Sequence, residues 1–145
     1  MSAAQRSPST LGVALRQYLD ARSSALLAAR KALGINELDA RALLYLIDHP
    51  GAKPSDLRVV LGLTSAGVTV LTDRLVSRQA VRRDPDPDDR RSVRLTATVD
   101  IASPPWSALT SFDAGFETAV AELATGEGDR VAELLSGLTR RASAG

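Results

Sequence analysis

Apolar residues recur at roughly helical spacing from Leu11 to Leu33, at Leu11, Leu15, Tyr18, Leu26, Ala29 and Leu33, with Arg16, Asp20, Arg22 and Arg30 between them. This pattern predicts one long amphipathic helix, capped by Ser9 or Thr10 and stopped by Gly34. Asn36 then stands as the N-cap of a second helix that runs to about Asp48, with Asp39 at its third position, where an acid suits the positive helix end. Leu38, Leu43, Leu46 and Ile47 give that helix a core face, and His49-Pro50-Gly51 ends it.

Pro54-Ser55-Asp56 predicts a short helix through Leu61, closed by Gly62, after which Leu63-Thr64 leads into a further helix to about Gln79. In that helix Val68, Leu71 and Leu75 share one face, while Ser65, Thr69, Thr72 and Arg74 or Arg78 lie away from it. Beyond Val81 the prolines of Asp84-Pro85-Asp86-Pro87-Asp88-Asp89 forbid a helix. The flanks, Arg82-Arg83 and Arg90 to Thr96, read as the strands of a β-hairpin with a long charged tip. Ser103-Pro104-Pro105 signals a fifth helix, with Trp106, Leu109, Phe112, Phe116, Val120 and Leu123 at helical spacing to about Ala124. Gly126 and Gly128 break it, and Val131, Leu134, Leu135 and Leu138 mark a last helix. The expected fold is mainly α with one small β-hairpin.

A chain of 145 residues supports one domain (residues 1–145) with a sizeable core, and aromatics at 3% leave that core to Leu, Val and Ala. Lys and Arg total 18 against 17 Asp and Glu, so any charge aimed at a polyanion must be local. The absence of cysteine excludes a disulfide framework, a thiolate zinc site and a thiol redox switch. The Ser/Ala/Pro-rich start has no apolar signal core and no run of eighteen apolar residues occurs, so the chain is expected to be cytoplasmic and to have no membrane partner.

From residue 35 to 96 the sequence resembles the winged helix-turn-helix of MarR-type transcriptional regulators. The resemblance is carried by Ser55-Asp56-Leu57 and Leu61-Gly62-Leu63-Thr64 in the turn, and by Val68-Thr69 and Leu71 with Asp73-Arg74-Leu75 in the recognition helix. In the wing it rests on Asp84-Pro85, Asp88-Asp89-Arg90-Arg91 and Leu95-Thr96. It implies a ligand-responsive regulator, in all expectation a repressor, that binds double-stranded DNA at a pseudo-palindromic operator as a homodimer. The arms of that dimer would be residues 10–33 and 104–142, around a DNA-binding lobe over residues 35–96.

A helix of this width fits the major groove, and Thr64, Ser65, Ala66, Thr69 and Val70 are the candidates to meet base edges there. The hydroxyls can donate or accept, and Ala66 and Val70 can meet a thymine methyl. Arg74 and Arg78 extend the same helix as candidate DNA contacts. At the hairpin tip Arg90 and Arg91 suit the minor groove, whose negative potential deepens in A·T tracts. By the resemblance, Arg91 inserts and Asp89 holds the tip in shape through a local ion pair. Arg82, Arg83 and Arg94 on the strands are placed for phosphates. Val70 and Gly67 depart from the family pattern in the recognition helix, and Pro104-Pro105 depart from it after the wing. The resemblance also implies a small lipophilic or aromatic effector in a cleft between arm and lobe. The placement of Tyr18, Arg22, Tyr45 and Trp106 makes them candidates for its lining, with core packing as the alternative role of each.

The Asp run matches no calcium loop, and its interleaved arginines compete for the carboxylates, so no metal is expected. His49 is the only histidine and stands at a helix end beside Pro50, far from any nucleophile pattern. Neither an enzyme nor a cofactor is expected. The competing reading is a winged-helix module that binds protein instead of DNA.

Overall fold

Ser9 Oγ accepts the Gly12 N–H at 3.1 Å and so opens α1 (Thr10–Leu33) in the computed structural model, which describes residues 7–144. Asn36 Oδ1 does the same for α2 (Glu37–Asp48), taking the Asp39 N–H at 2.8 Å. Pro54 starts α3 (Pro54–Leu61), where a missing N–H costs nothing, and the Asp56 carboxylate accepts the Lys53 N–H at 2.8 Å. Gly62 ends α3 at φ 65°, a conformation that disfavours a side chain, and this lets Leu63 N–H reach back to the Arg58 carbonyl at 3.0 Å. Thr64 Oγ1 then accepts the Gly67 N–H at 3.1 Å and caps α4 (Ser65–Ser77). The chain turns by 109° between α3 and α4, within the range of a helix-turn-helix.

Strands β1 (Val81–Pro85) and β2 (Val93–Ala97) pair antiparallel, with Val81 opposite Ala97 and Pro85 opposite Val93. A third segment joins them: Leu95 N–H donates to the Ala52 carbonyl at 2.8 Å, and Gly51 N–H donates to the Leu95 carbonyl at 2.9 Å. This ties the hairpin to the chain entering α3. The second strand begins at Val93 and not at Arg90, because Asp89 folds the tip: its carbonyl accepts Ser92 N–H at 2.9 Å and its Oδ1 accepts Arg91 N–H at 3.0 Å.

Two compact units divide the chain at residues 1–109 and 110–145. In the first, Leu43, Leu46, Leu57, Leu71, Leu75 and Leu95 are fully buried in one core, each contributing roughly 1.5–3 kcal/mol of transfer free energy. Thr72 belongs with them. It was expected to point outward, yet it is buried and returns its hydroxyl to the Val68 carbonyl at 2.7 Å, which satisfies the polar group internally.

The expected fifth helix over Pro104 to Ala124 is corrected. Trp106–Leu109 closes one tight 3-10 turn within the first unit, and α5 (Ser111–Ala121) starts only afterwards. The interruption falls at Thr110, whose φ of −119° departs from the regular helical value. The second unit holds α5 and α6 (Glu127–Ser143), and no residue between 110 and 144 is buried. Among the described residues no helix is long and apolar enough to cross a membrane.

Candidate nucleic-acid interface

The first turns of α4 present Ser65, Ala66, Thr69 and Val70 to solvent, with Thr64 exposed at the cap. Their spacing of three to four residues puts them on one side of the helix, opposite the buried Val68, Leu71 and Leu75. Thr69 donates its hydroxyl hydrogen to the Ser65 carbonyl at 3.0 Å, so toward an external partner only its oxygen lone pairs remain. Gly67 also has a local reason to be glycine: a Cβ there would come within 3.3 Å of Thr64 Oγ1, the atom that caps the helix.

The arginines of this region divide into engaged and unengaged groups. Arg74 forms a two-pronged pair with Asp39, Nη2 to Oδ1 at 2.6 Å and Nε to Oδ2 at 3.2 Å, and Asp39 is only 3% exposed. Arg78 donates to the carbonyls of Leu33 and Gly34, joining the end of α4 to the end of α1. Arg83 meets Asp73 of α4 at 2.5 Å, which joins the hairpin to α4, while Arg82 pairs with Asp84 within its own strand at 2.9 Å. A groove of about 310 Å3 between α4 and the hairpin is lined by Thr69, Asp73, Arg83, Val93 and Pro54.

Arg94 faces inward to Asp86, with Nε 3.3 Å from Oδ2, and Lys53 Nζ lies 3.5 Å from the same carboxylate. Asp86 is buried, and the Asp88 N–H, donating at 2.9 Å, and then Arg94 and Lys53 hold its carboxyl below the usual carboxylate range despite that burial. This aspartate is the anchor of the wing. Sequence reasoning missed it because four aspartates, Asp84, Asp86, Asp88 and Asp89, crowd this segment and are equivalent on paper.

Asp89 holds the tip through the Arg91 backbone N–H and not through an ion pair with its guanidinium. Among the described residues the guanidinium groups of Arg90 and Arg91 have no hydrogen-bond or ion-pair partner, and both are exposed at the tip. Their charge therefore faces solvent undiminished, beside a helix whose own arginines are engaged.

Of the residues considered for an effector cleft, Arg22 lines a groove of about 430 Å3 between α1 and α2, together with Leu26, Arg30, Arg41 and Leu44. Tyr45 and Trp106 pack against the core, and Tyr45 stacks on His49 with ring centroids 4.2 Å apart. Tyr18 is half-buried on α1. Among the described residues no group of three or more metal-ligating side chains is disposed to hold an ion.

A model of the MarR family matches residues 33–92, the span from the end of α1 to the wing tip. No curated protein matches the chain significantly. Among solved structures, a mutant of MepR from S. aureus bound to an oligodeoxyribonucleotide is similar at 22% identity, covering 92% of this chain and 99% of that one with a TM-score of 0.63. A second S. aureus MepR mutant is similar at 20% identity, 92% and 96% coverage and a TM-score of 0.70. A mutant of MarR from E. coli shows 24% identity, 92% and 99% coverage and a TM-score of 0.61. At these identities the structural likeness speaks for the fold, whereas the family model speaks for the sequence of the lobe itself. The winged helix-turn-helix built by residues 33–92 is thus similar in sequence to the MarR family, and the whole chain shares the fold of MarR-type proteins.

Proposed function

We infer that this protein is a sequence-specific transcriptional regulator that binds double-stranded DNA in the cytoplasm as a homodimer. The observation that carries the reading is the pairing of an exposed, uncharged helix face on α4 with a hairpin tip whose two guanidinium groups are unpaired. A helix seated in the major groove brings base-reading side chains to the edges, and a basic tip supplies the phosphate and minor-groove attraction that the nearly neutral chain lacks elsewhere. The MepR mutant of the same fold that was solved on an oligodeoxyribonucleotide supports this reading by analogy.

The dimer is supported by what the single chain leaves uncovered. Leu11, Leu15 and Leu19 form a stripe on α1 at 46%, 37% and 57% exposure, and Val131, Leu134 and Leu138 form another on α6 at 50%, 61% and 46%. A pair of helices without one buried residue does not fold stably alone, so a second copy is the natural cover. Two such lobes related by a two-fold axis would read half-sites about one helical turn apart. Repression that is relieved by a small lipophilic or aromatic effector, bound in a cleft beside Arg22, completes the proposal.

The test is a fluorescence anisotropy titration on random-sequence duplex at low and at raised salt. Binding that weakens steeply with salt supports the reading, because displaced counterions set that slope. Absence of binding at low salt overturns it and favours a protein-binding winged helix.

A further inference from the structure

The exposed face of α4 holds no cation free to reach a base. Each guanidinium on or beside it is engaged, that of Arg74 by Asp39, that of Arg78 by the carbonyls of Leu33 and Gly34, and that of Arg83 by Asp73. What the helix offers instead is apolar. Val70 is 55% exposed, where a β-branched residue gains neither burial nor helix propensity, and Ala66 lies one turn before it. Both border a shallow groove of about 370 Å3 floored by Leu38, Leu63 and Leu71.

We propose that this strip reads the C5-methyl groups of thymine, so that the half-site is selected by methyl packing and not by arginine–guanine pairs; the inference rests on the DNA-binding reading above. Thymine is the one base of ordinary DNA that presents an apolar group in the major groove, whereas the paired acceptors of guanine are met best by a two-pronged guanidinium, and those on this face are engaged. Thr69 points the same way. Its hydroxyl hydrogen is engaged by Ser65, so its oxygen accepts, and the adenine N6 amino group is the donor that accompanies a thymine methyl in the groove.

The experiment selects duplexes from a random pool with the full-length protein, then replaces each enriched thymine by deoxyuracil, which pairs identically and lacks only the methyl. Affinity is expected to fall about fourfold for each contacted methyl, the equivalent of one buried carbon. Val70→Ala, at a solvent-facing position that leaves the core intact, should make thymine and deoxyuracil duplexes nearly equivalent at one position while the salt slope stays unchanged. Enriched duplexes bound equally with thymine and with deoxyuracil would overturn the inference while leaving DNA binding in place. Failure to bind any duplex at low salt would instead overturn the underlying reading, and this inference with it.

Discussion

Arg74 of α4 and Asp39 at the start of α2 grip each other through two parallel hydrogen bonds, across thirty-five positions of sequence. The pair fixes α4 against the helix that supports it, since a guanidinium and a carboxylate match in both geometry and charge. Asp39→Asn keeps the shape and removes the charge. The expected loss is roughly 2–3 kcal/mol in chemical denaturation, below the cost of breaking a wholly buried pair because the Arg74 side chain is 42% exposed. DNA affinity should fall alike on cognate and random duplexes, as suits a positioning contact; a loss confined to one base position would show that Arg74 touches a base.

The wing should be sensitive to acid. Asp86 has its carboxyl held below the usual range, first by the Asp88 N–H and then by Arg94, so its stabilisation is fully present above about pH 4 and is lost as the pH falls through the lowered folded value. Asp86→Asn removes that contribution at every pH. The variant should melt several degrees below the parent at pH 7, and the gap should narrow below pH 4. Thermal melts across that range check it, and a gap independent of pH would count against the buried carboxylate.

Assembly offers a third prediction. Leu134→Glu places a charge on the most exposed apolar position of the α6 stripe, where the isolated chain loses nothing by it. Sedimentation at micromolar concentration should show a dimer for the parent and a shift toward monomer for the variant. A parent that sediments as a monomer would remove the basis for a two-fold operator.

The helix boundaries of the lobe were legible because they are local: Ser9, Asn36 and Thr64 are caps, and Gly34 and Gly62 are stops, each acting within four residues. The hairpin was legible for the same reason, since prolines exclude helix and alternation suggests strand. What stayed hidden was long-range. Nothing near Arg74 in sequence indicates that its partner is Asp39, so it read as a free cation facing DNA. Ala52 gives no sign of bridging to Leu95. Thr72 read as a polar surface residue because its internal hydrogen bond leaves no trace in composition. Arg90 and Arg91 read correctly as exposed, because tip residues have few neighbours to pair with.

If the unpaired guanidinium groups at the wing tip meet DNA, a salt titration of Arg91→Ala on duplexes selected by the parent protein will register the loss. Arg91 contributes only its backbone N–H to the fold, which alanine retains, so structure and assembly should be unchanged. Affinity should be weaker by about tenfold or more, with a salt slope shallower by about two units for a dimer that loses one cation per protomer. Affinity and salt slope equal to those of the parent, with fold and assembly intact, would contradict that contact.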